Sequence, residues 1–251
     1  MEDINDRKTP LEVAKNLFSK KYSDAQCLIV GGSVVRGEGS LYSDLDIVII
    51  YDHLDFAYRD SFLFEGWPIE VFVHDIDTLR YFLDEVDRPS GFPSLAQMII
   101  EGIVVSEKSD DAKIIKKMAD DFMQIGPVKW TKEDIDRARY SITDLIEDIR
   151  SPKYISDNLG AGASLYEALA DFYFRSKNSW SASGKMISRK LNLVDKDLAK
   201  LYDDAFIQLY TDNNPDLLIK LTENILAPFD GFLFGGYRLD APNEWRKPLG
   251  D

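Results

Sequence analysis

Short apolar runs separated by turn signals occupy the first half of the chain, and long stretches of helical periodicity occupy the second. Positions 27–30, Cys-Leu-Ile-Val, form a continuous apolar run of strand length ending in a double glycine. Positions 44–51 open with Asp44-Leu45-Asp46, continue as Ile47-Val48-Ile49-Ile50, and predict a second strand. A turn, Glu65-Gly66-Trp67-Pro68, leads into a β-branched run through residue 73 that contains one acid, Glu70. The run 58–64 fits either a strand or a short helix, and 103–105 fits a short strand. Helices are expected around these strands. Thr9-Pro10-Leu11-Glu12 carries an N-cap, a first-turn proline and a capping-box acid, and Leu11, Ala14, Leu17 and Phe18 then share one face. Further helices are predicted over 77–86, over 95–100 with Gly102 at its end, and over 113–122.

Gly126-Pro127 breaks this pattern, and beyond it the periodicity is helical throughout. The stretch 131–150 places Ile135, Ala138, Ile142, Leu145, Ile146 and Ile149 on one side. Helices at 160–176, 184–191 and 196–210 follow, and a last one starts at Asn214-Pro215 and stops at Pro228. The tail from 229, rich in Gly, Pro and aromatic residues, is expected to lie over the surface. The change of period predicts an α/β (α+β) domain with a mixed sheet over 1–125, followed by an all-α bundle over 126–251.

Composition narrows the function. The chain has 251 residues, 45% hydrophobic and 29% charged, enough apolar material for a substantial core. Its formal net charge of −14 disfavours a long nucleic acid as partner, because counterion release needs clustered Lys and Arg. A small or cationic partner suits that field better. One cysteine, Cys27, precludes an intramolecular disulfide and fits a reducing cytoplasm. The acidic start, Met1-Glu2-Asp3-Ile4-Asn5-Asp6, does not read as a secretory leader, and no apolar run reaches the ~20 residues that span a bilayer. Two histidines and one cysteine argue against a His/Cys zinc site. Ser183-Gly184-Lys185-Met186 lacks the preceding strand and the Ser/Thr of a P-loop.

The chemistry concentrates between residues 30 and 70. Residues two apart on a strand share a face, so Asp44 and Asp46 would project side by side. Unpaired, such carboxylates repel, and one would be driven toward protonation. A hard divalent cation such as Mg²⁺ removes the conflict and recruits phosphate oxygens of a substrate. Gly31 and Gly32 permit close backbone approach, and Ser33 can donate to a phosphate. Without a ligand, the two aspartates would be solvated strand-edge charges.

Gly32-Ser33, then Asp44-x-Asp46 about ten residues on, then Glu70 on a later strand resembles the signature of the polymerase-beta-like nucleotidyltransferase superfamily. The order of a small catalytic domain and a helical bundle is similar to the aminoglycoside (kanamycin-type) and lincosamide nucleotidyltransferases. The resemblance implies that Asp44, Asp46 and Glu70 hold two Mg²⁺ ions carrying ATP or another NTP. It also implies that Gly32 and Ser33 bind phosphates, and that a nucleoside monophosphate, AMP first, passes to a hydroxyl of a small-molecule acceptor. The basic stretch around Lys185 resembles the helix that offers a lysine to the triphosphate, or else is a solvated face. Arg36 contacts phosphate or pairs with Glu38. Glu167, in Leu165-Tyr166-Glu167-Ala168, matches the position of the family's base or is an exposed helix residue; Asp171 stands where a lysine of that family would fall. Modification of a protein or tRNA, and an inactive nucleotide-binding module, are the alternative functions.

Overall fold

The computed structural model describes residues 7–108 and 110–246; the acidic start at 1–6 lies outside the described residues. Two compact units divide the chain, Met1–Val128 and Lys129–Asp251.

The first unit is built on a mixed five-stranded sheet of order β3-β4-β2-β1-β5. Its strands are β1 (Cys27–Val30), β2 (Leu45–Ile50), β3 (Tyr58–Phe64), β4 (Trp67–His74) and β5 (Ile103–Glu107). β2 and β4 pair in parallel and the other neighbours are antiparallel. Alternation along β2 and β4 sends Leu45, Ile47, Ile49, Ile69, Val71 and Val73 to one face. There they meet Val13, Ala14, Leu17 and Phe18 of α1 (Pro10–Lys21), which starts at the capping box of Thr9 and Glu12. Burying such aliphatic side chains contributes about 1.5–3 kcal/mol each, so the face of β2 that carries Asp46 is fixed by the face that does not. On that second face Val48 and Ile50 are fully buried, with α5 (Ser94–Glu101) packed on β1 and β2 and α6 (Asp111–Ile125) on β1 and β5.

Three local readings resolve or change. The run 58–64 is a strand, at the edge of the sheet. The Gly-Gly-Ser turn is a one-turn helix, α2 (Gly32–Val35), because Gly32 takes φ +73° and redirects the chain at once. The helix expected over 77–86 is α3 (Ile76–Tyr81), capped by Asp75, and it continues as a π-helix over Phe82–Asp87 before the short α4 (Arg88–Ser90).

Asp87, at the end of that π-helix, is 6% exposed and its Oδ2 accepts from the Leu95 N–H at 3.3 Å. Burial pushes its carboxyl up to about 6, against the opposing pull of that N–H. The folded state therefore holds this proton more tightly than the unfolded chain, which titrates near 3.8. Stability from this group is fully present below that value and is lost as pH rises through about 6. Asp87→Asn should unfold about 2 kcal/mol later than the parent at pH 7.5, with the gap closing toward pH 4. Urea titrations at the two pH values read the difference; a constant gap would mean the carboxyl is not the cause.

The second unit is helical: α7 (Lys132–Arg150), α8 (Ile155–Arg175), α9 (Met186–Val194), α10 (Lys196–Asp212) and α11 (Asp216–Leu226). Ile142, Ile146, Ile149, Leu165, Leu169, Phe172, Tyr202, Phe206, Leu218 and Leu221 share its core. α8 begins five residues earlier than its apolar spacing suggested, because Asp157 accepts from the backbone N–H groups of Lys153 and Tyr154 at 2.9 and 2.8 Å. The tail does more than cover surface. Phe229 and Phe232 pack on the helical core, Arg139 Nε donates to Gly231 O at 2.9 Å, and Leu233 N–H donates to Thr143 Oγ1 at 2.9 Å. No helix among the described residues is long and apolar enough to cross a membrane.

Candidate active site

The parallel pairing of β2 and β4 sets Asp46 opposite Glu70 in register. Residues opposite each other on neighbouring strands share a face, so both carboxylates rise from the same side of the sheet. Asp44 lies just before β2. One carboxylate oxygen from each of Asp44, Asp46 and Glu70 falls within 4.8 Å of the others, with Asp44 exposed and the other two half-buried. Three like charges at this separation destabilise one another unless a cation joins them. The donor set is all carboxylate oxygen, with no nitrogen or sulfur, which fits a hard divalent ion.

Glycine at position 32 is a steric requirement of this cluster. A Cβ there would lie 1.9 Å from Asp46 Oδ2, and the left-handed φ of +73° disfavours any other residue. Gly31 is hemmed in differently: a Cβ would meet Met98 O of α5 at 2.9 Å. Its N–H donates to Asp46 O at 2.8 Å, tying the end of β1 to β2 beside the acids. Ser33 follows in α2, with its carbonyl accepting from Glu38 N–H at 2.9 Å.

Arg36 was open between a phosphate contact and a pair with Glu38. Its Nε lies 3.1 Å from Glu38 Oε2 and its Nη1 3.0 Å from Glu101 Oε2 of α5. Partial burial alone would pull its guanidinium down, but those two carboxylates more than offset it and hold it above its ordinary value. Glu101 is further held by Gln97 Nε2 at 2.7 Å, so Arg36 is one member of a braced surface network.

Two residues at the cluster escaped notice in the sequence, Arg59 and Ser61 of β3. Ser61 stands opposite Glu70 in the antiparallel register and its Oγ donates to Glu70 Oε1 at 3.3 Å. Arg59, two residues before it on the same face, pairs its Nη2 with the same oxygen while its guanidinium lies over the Phe72 ring at 5.3 Å. The alternation Arg59-x-Ser61 was a usable signal, but only once 58–64 is known to be a strand paired with β4.

Lys185 and Glu167 belong to the second unit. Lys185 is exposed and immediately precedes α9; Glu167 is exposed on α8. The two are linked locally, because Glu167 Oε1 accepts from Gly184 N–H at 3.0 Å and so holds the turn that presents Lys185.

Comparison with known proteins bears on the first unit and the start of the second. No curated protein matches the chain. Among solved structures, the chain is similar to a nucleotidyltransferase-like protein from Exiguobacterium sibiricum, at 14% identity and a TM-score of 0.45 over 88% of this chain and 75% of that one. The profile of the nucleotidyltransferase domain matches residues 11–151, a span that contains all of α1 but its first residue, the whole sheet, Gly32-Ser33 and all three acids. That span is more than half of the 251 residues, and the chain belongs to the nucleotidyltransferase domain family.

Proposed function

We propose that the protein transfers a nucleoside monophosphate, AMP from ATP as the first candidate, to a hydroxyl of a small-molecule acceptor, as aminoglycoside- and lincosamide-modifying enzymes do. The observation that carries this reading is the convergence of Asp44, Asp46 and Glu70 on one point beside a glycine that must remain a glycine. The acceptor oxygen would form a bond to the α-phosphorus, the bond to the β-phosphate oxygen would break, and pyrophosphate would leave with the acceptor proton going to solvent or to a base. Mg²⁺, one ion or two, held by the three carboxylates would supply charge neutralisation and polarisation of the phosphate oxygens.

The chain's own residues do the positioning. Gly32 keeps the backbone close to where phosphates would lie, and the Ser33 hydroxyl can donate to one. Arg36 reaches a phosphate only by giving up Glu38 or Glu101, so it serves better as a brace than as a first contact. Glu167 spends one carboxylate oxygen on Gly184, which favours a positioning role for the Lys185 turn over that of base. The charge of −14 favours a small acceptor over tRNA. A free, buried Cys27 suits a cytoplasmic location.

The test is pyrophosphate release from each NTP with Mg²⁺, followed by mass spectrometry of an acceptor panel of small hydroxylated molecules, proteins and tRNA. A mass gain of one nucleoside monophosphate on small molecules supports the reading. The same gain confined to protein or tRNA, or no turnover with any acceptor, overturns it.

Lys185→Ala offers a separate check. A preorganised cation that meets charge developing on the leaving pyrophosphate is worth about a hundredfold or more in turnover. The variant should lose that much while binding Mg²⁺ as the parent does. Unchanged rate and NTP affinity would reduce the segment to a solvated helix end.

A further inference from the structure

Glu70 differs from its two companions in length. Asp44 and Asp46 carry their carboxylates on a single methylene, whereas Glu70 has a second one and with it a further rotatable bond to fix. A ligand that must be ordered as the ion arrives weakens a site, and one held in place beforehand strengthens it. The surroundings of Glu70 do hold it. Ser61 stands opposite it in the antiparallel register of β3 and β4, and the Ser61 hydroxyl donates to Glu70 Oε1 at 3.3 Å. Arg59, next along the same face of β3, pairs its Nη2 with that same oxygen. Phe72, on the Glu70 face of β4, stands opposite Arg59 and lies under the guanidinium at 5.3 Å. Phe72 thus supports Arg59, while Arg59 and Ser61 together hold Oε1. Among the described residues no donor engages Oε2.

A charged residue on an edge strand ordinarily serves to keep that edge from pairing with another chain, and an exposed ion pair adds little to stability. Two features set Arg59 apart from that role. Glu70 is its one ion-pair partner among the described residues, whereas Arg36 is shared between Glu38 and Glu101. A neutral hydroxyl also converges on the same carboxylate oxygen, which protection of an edge does not require.

We propose that Arg59 and Ser61 are positioning residues for the three-acid cluster: they hold Glu70 by Oε1 and leave Oε2 for a divalent cation shared with Asp44 and Asp46. The inference rests on the reading of these three acids as the cation site of the proposed transfer. The opposing effect is repulsion between the guanidinium and the bound ion. Arg59 is mostly solvent-exposed, so that repulsion is screened to roughly fivefold or less in affinity. Loss of a group that orients a metal ligand costs about 10–100-fold, so orientation outweighs repulsion.

The probe is Mn²⁺ alone, titrated into the full chain and followed by electron paramagnetic resonance, with neither nucleotide nor turnover. Arg59→Met keeps much of the side chain's length against Phe72 but removes the charge and the donors. It should weaken Mn²⁺ binding about tenfold. Arg59→Lys has one contact to replace, that of Nη2, and should return the affinity to within about threefold of the parent. Ser61→Ala changes no charge and should weaken binding by a smaller factor, about threefold, as loss of one hydrogen bond does. Mn²⁺ binding by Arg59→Met that equals or exceeds the parent's overturns the proposal, the tighter case being that of a guanidinium that only competes with the ion. Failure of Arg59→Lys to restore affinity, no effect of Ser61→Ala, or no binding of Mn²⁺ by the parent overturns it as well. The affinities expected here, in a parent that releases no pyrophosphate from any NTP, would sink the transfer reading and uphold the positioning role. Pyrophosphate release combined with Mn²⁺ affinity indifferent to Arg59 would do the converse.

Discussion

Asp46→Asn should remove nucleotidyl transfer, on the order of a thousandfold or more in turnover, while leaving the fold intact. The substitution changes one oxygen to an amide at a half-buried position. β2 keeps its core-facing Leu45, Ile47 and Ile49, and the backbone oxygen of residue 46 still accepts from Gly31 N–H. What is lost is one of three anionic donors, and with it the means of holding a doubly charged cation against a triphosphate. Two measurements on one preparation make the case: pyrophosphate release, and Mn²⁺ affinity followed by electron paramagnetic resonance. Both should fall together. Full turnover with weakened Mn²⁺ binding would detach the chemistry from the three-acid cluster. Weak turnover with unchanged Mn²⁺ binding would assign Asp46 a role other than ligand.

Gly32→Ala should be nearly as damaging, for a reason that involves no charge. The added methyl would have to occupy space 1.9 Å from Asp46 Oδ2, so either the carboxylate or the β1–α2 junction must move. A displacement of this order at a reacting centre costs about a hundredfold in rate. The left-handed backbone adds about 1–3 kcal/mol of strain to the folded state. Gly37 is the natural control. It has nearly the same φ, +74°, but nothing within 4 Å of an added Cβ. Gly37→Ala should show the strain alone, as a lower melting temperature with turnover close to the parent. Equal losses of activity in the two variants would mean that backbone conformation, and not the contact with Asp46, governs position 32.

The three acids were legible because each signal is local. Asp44 and Asp46 stand at the mouth of an apolar run, and Glu70 interrupts another, so strand periodicity alone puts them at the right places along their strands. That the runs pair in parallel, Asp46 against Glu70, is a property of the whole sheet and leaves no local mark in the sequence. Arg59 and Ser61 were not legible for the converse reason. β3 is an edge strand with one face in solvent, so its apolar pattern is weak and 58–64 reads equally as a helix. The π-helix at Phe82–Asp87 was hidden because a widened turn leaves no compositional mark. In the second unit the amphipathic stripes were plain.

The edge position of Arg59 has a consequence for how the site would be loaded. Its side chain is 63% exposed while Glu70 is 16% exposed, so a tethered, solvent-facing cation already sits on a largely enclosed carboxylate of the cluster. A divalent cation held by Asp44, Asp46 and Glu70 under the proposed chemistry would share Glu70 with that guanidinium or compete with it for the carboxylate. A guanidinium released from Glu70 would remain tethered to the edge strand β3, where it would have a planar fork of donors to offer a triphosphate.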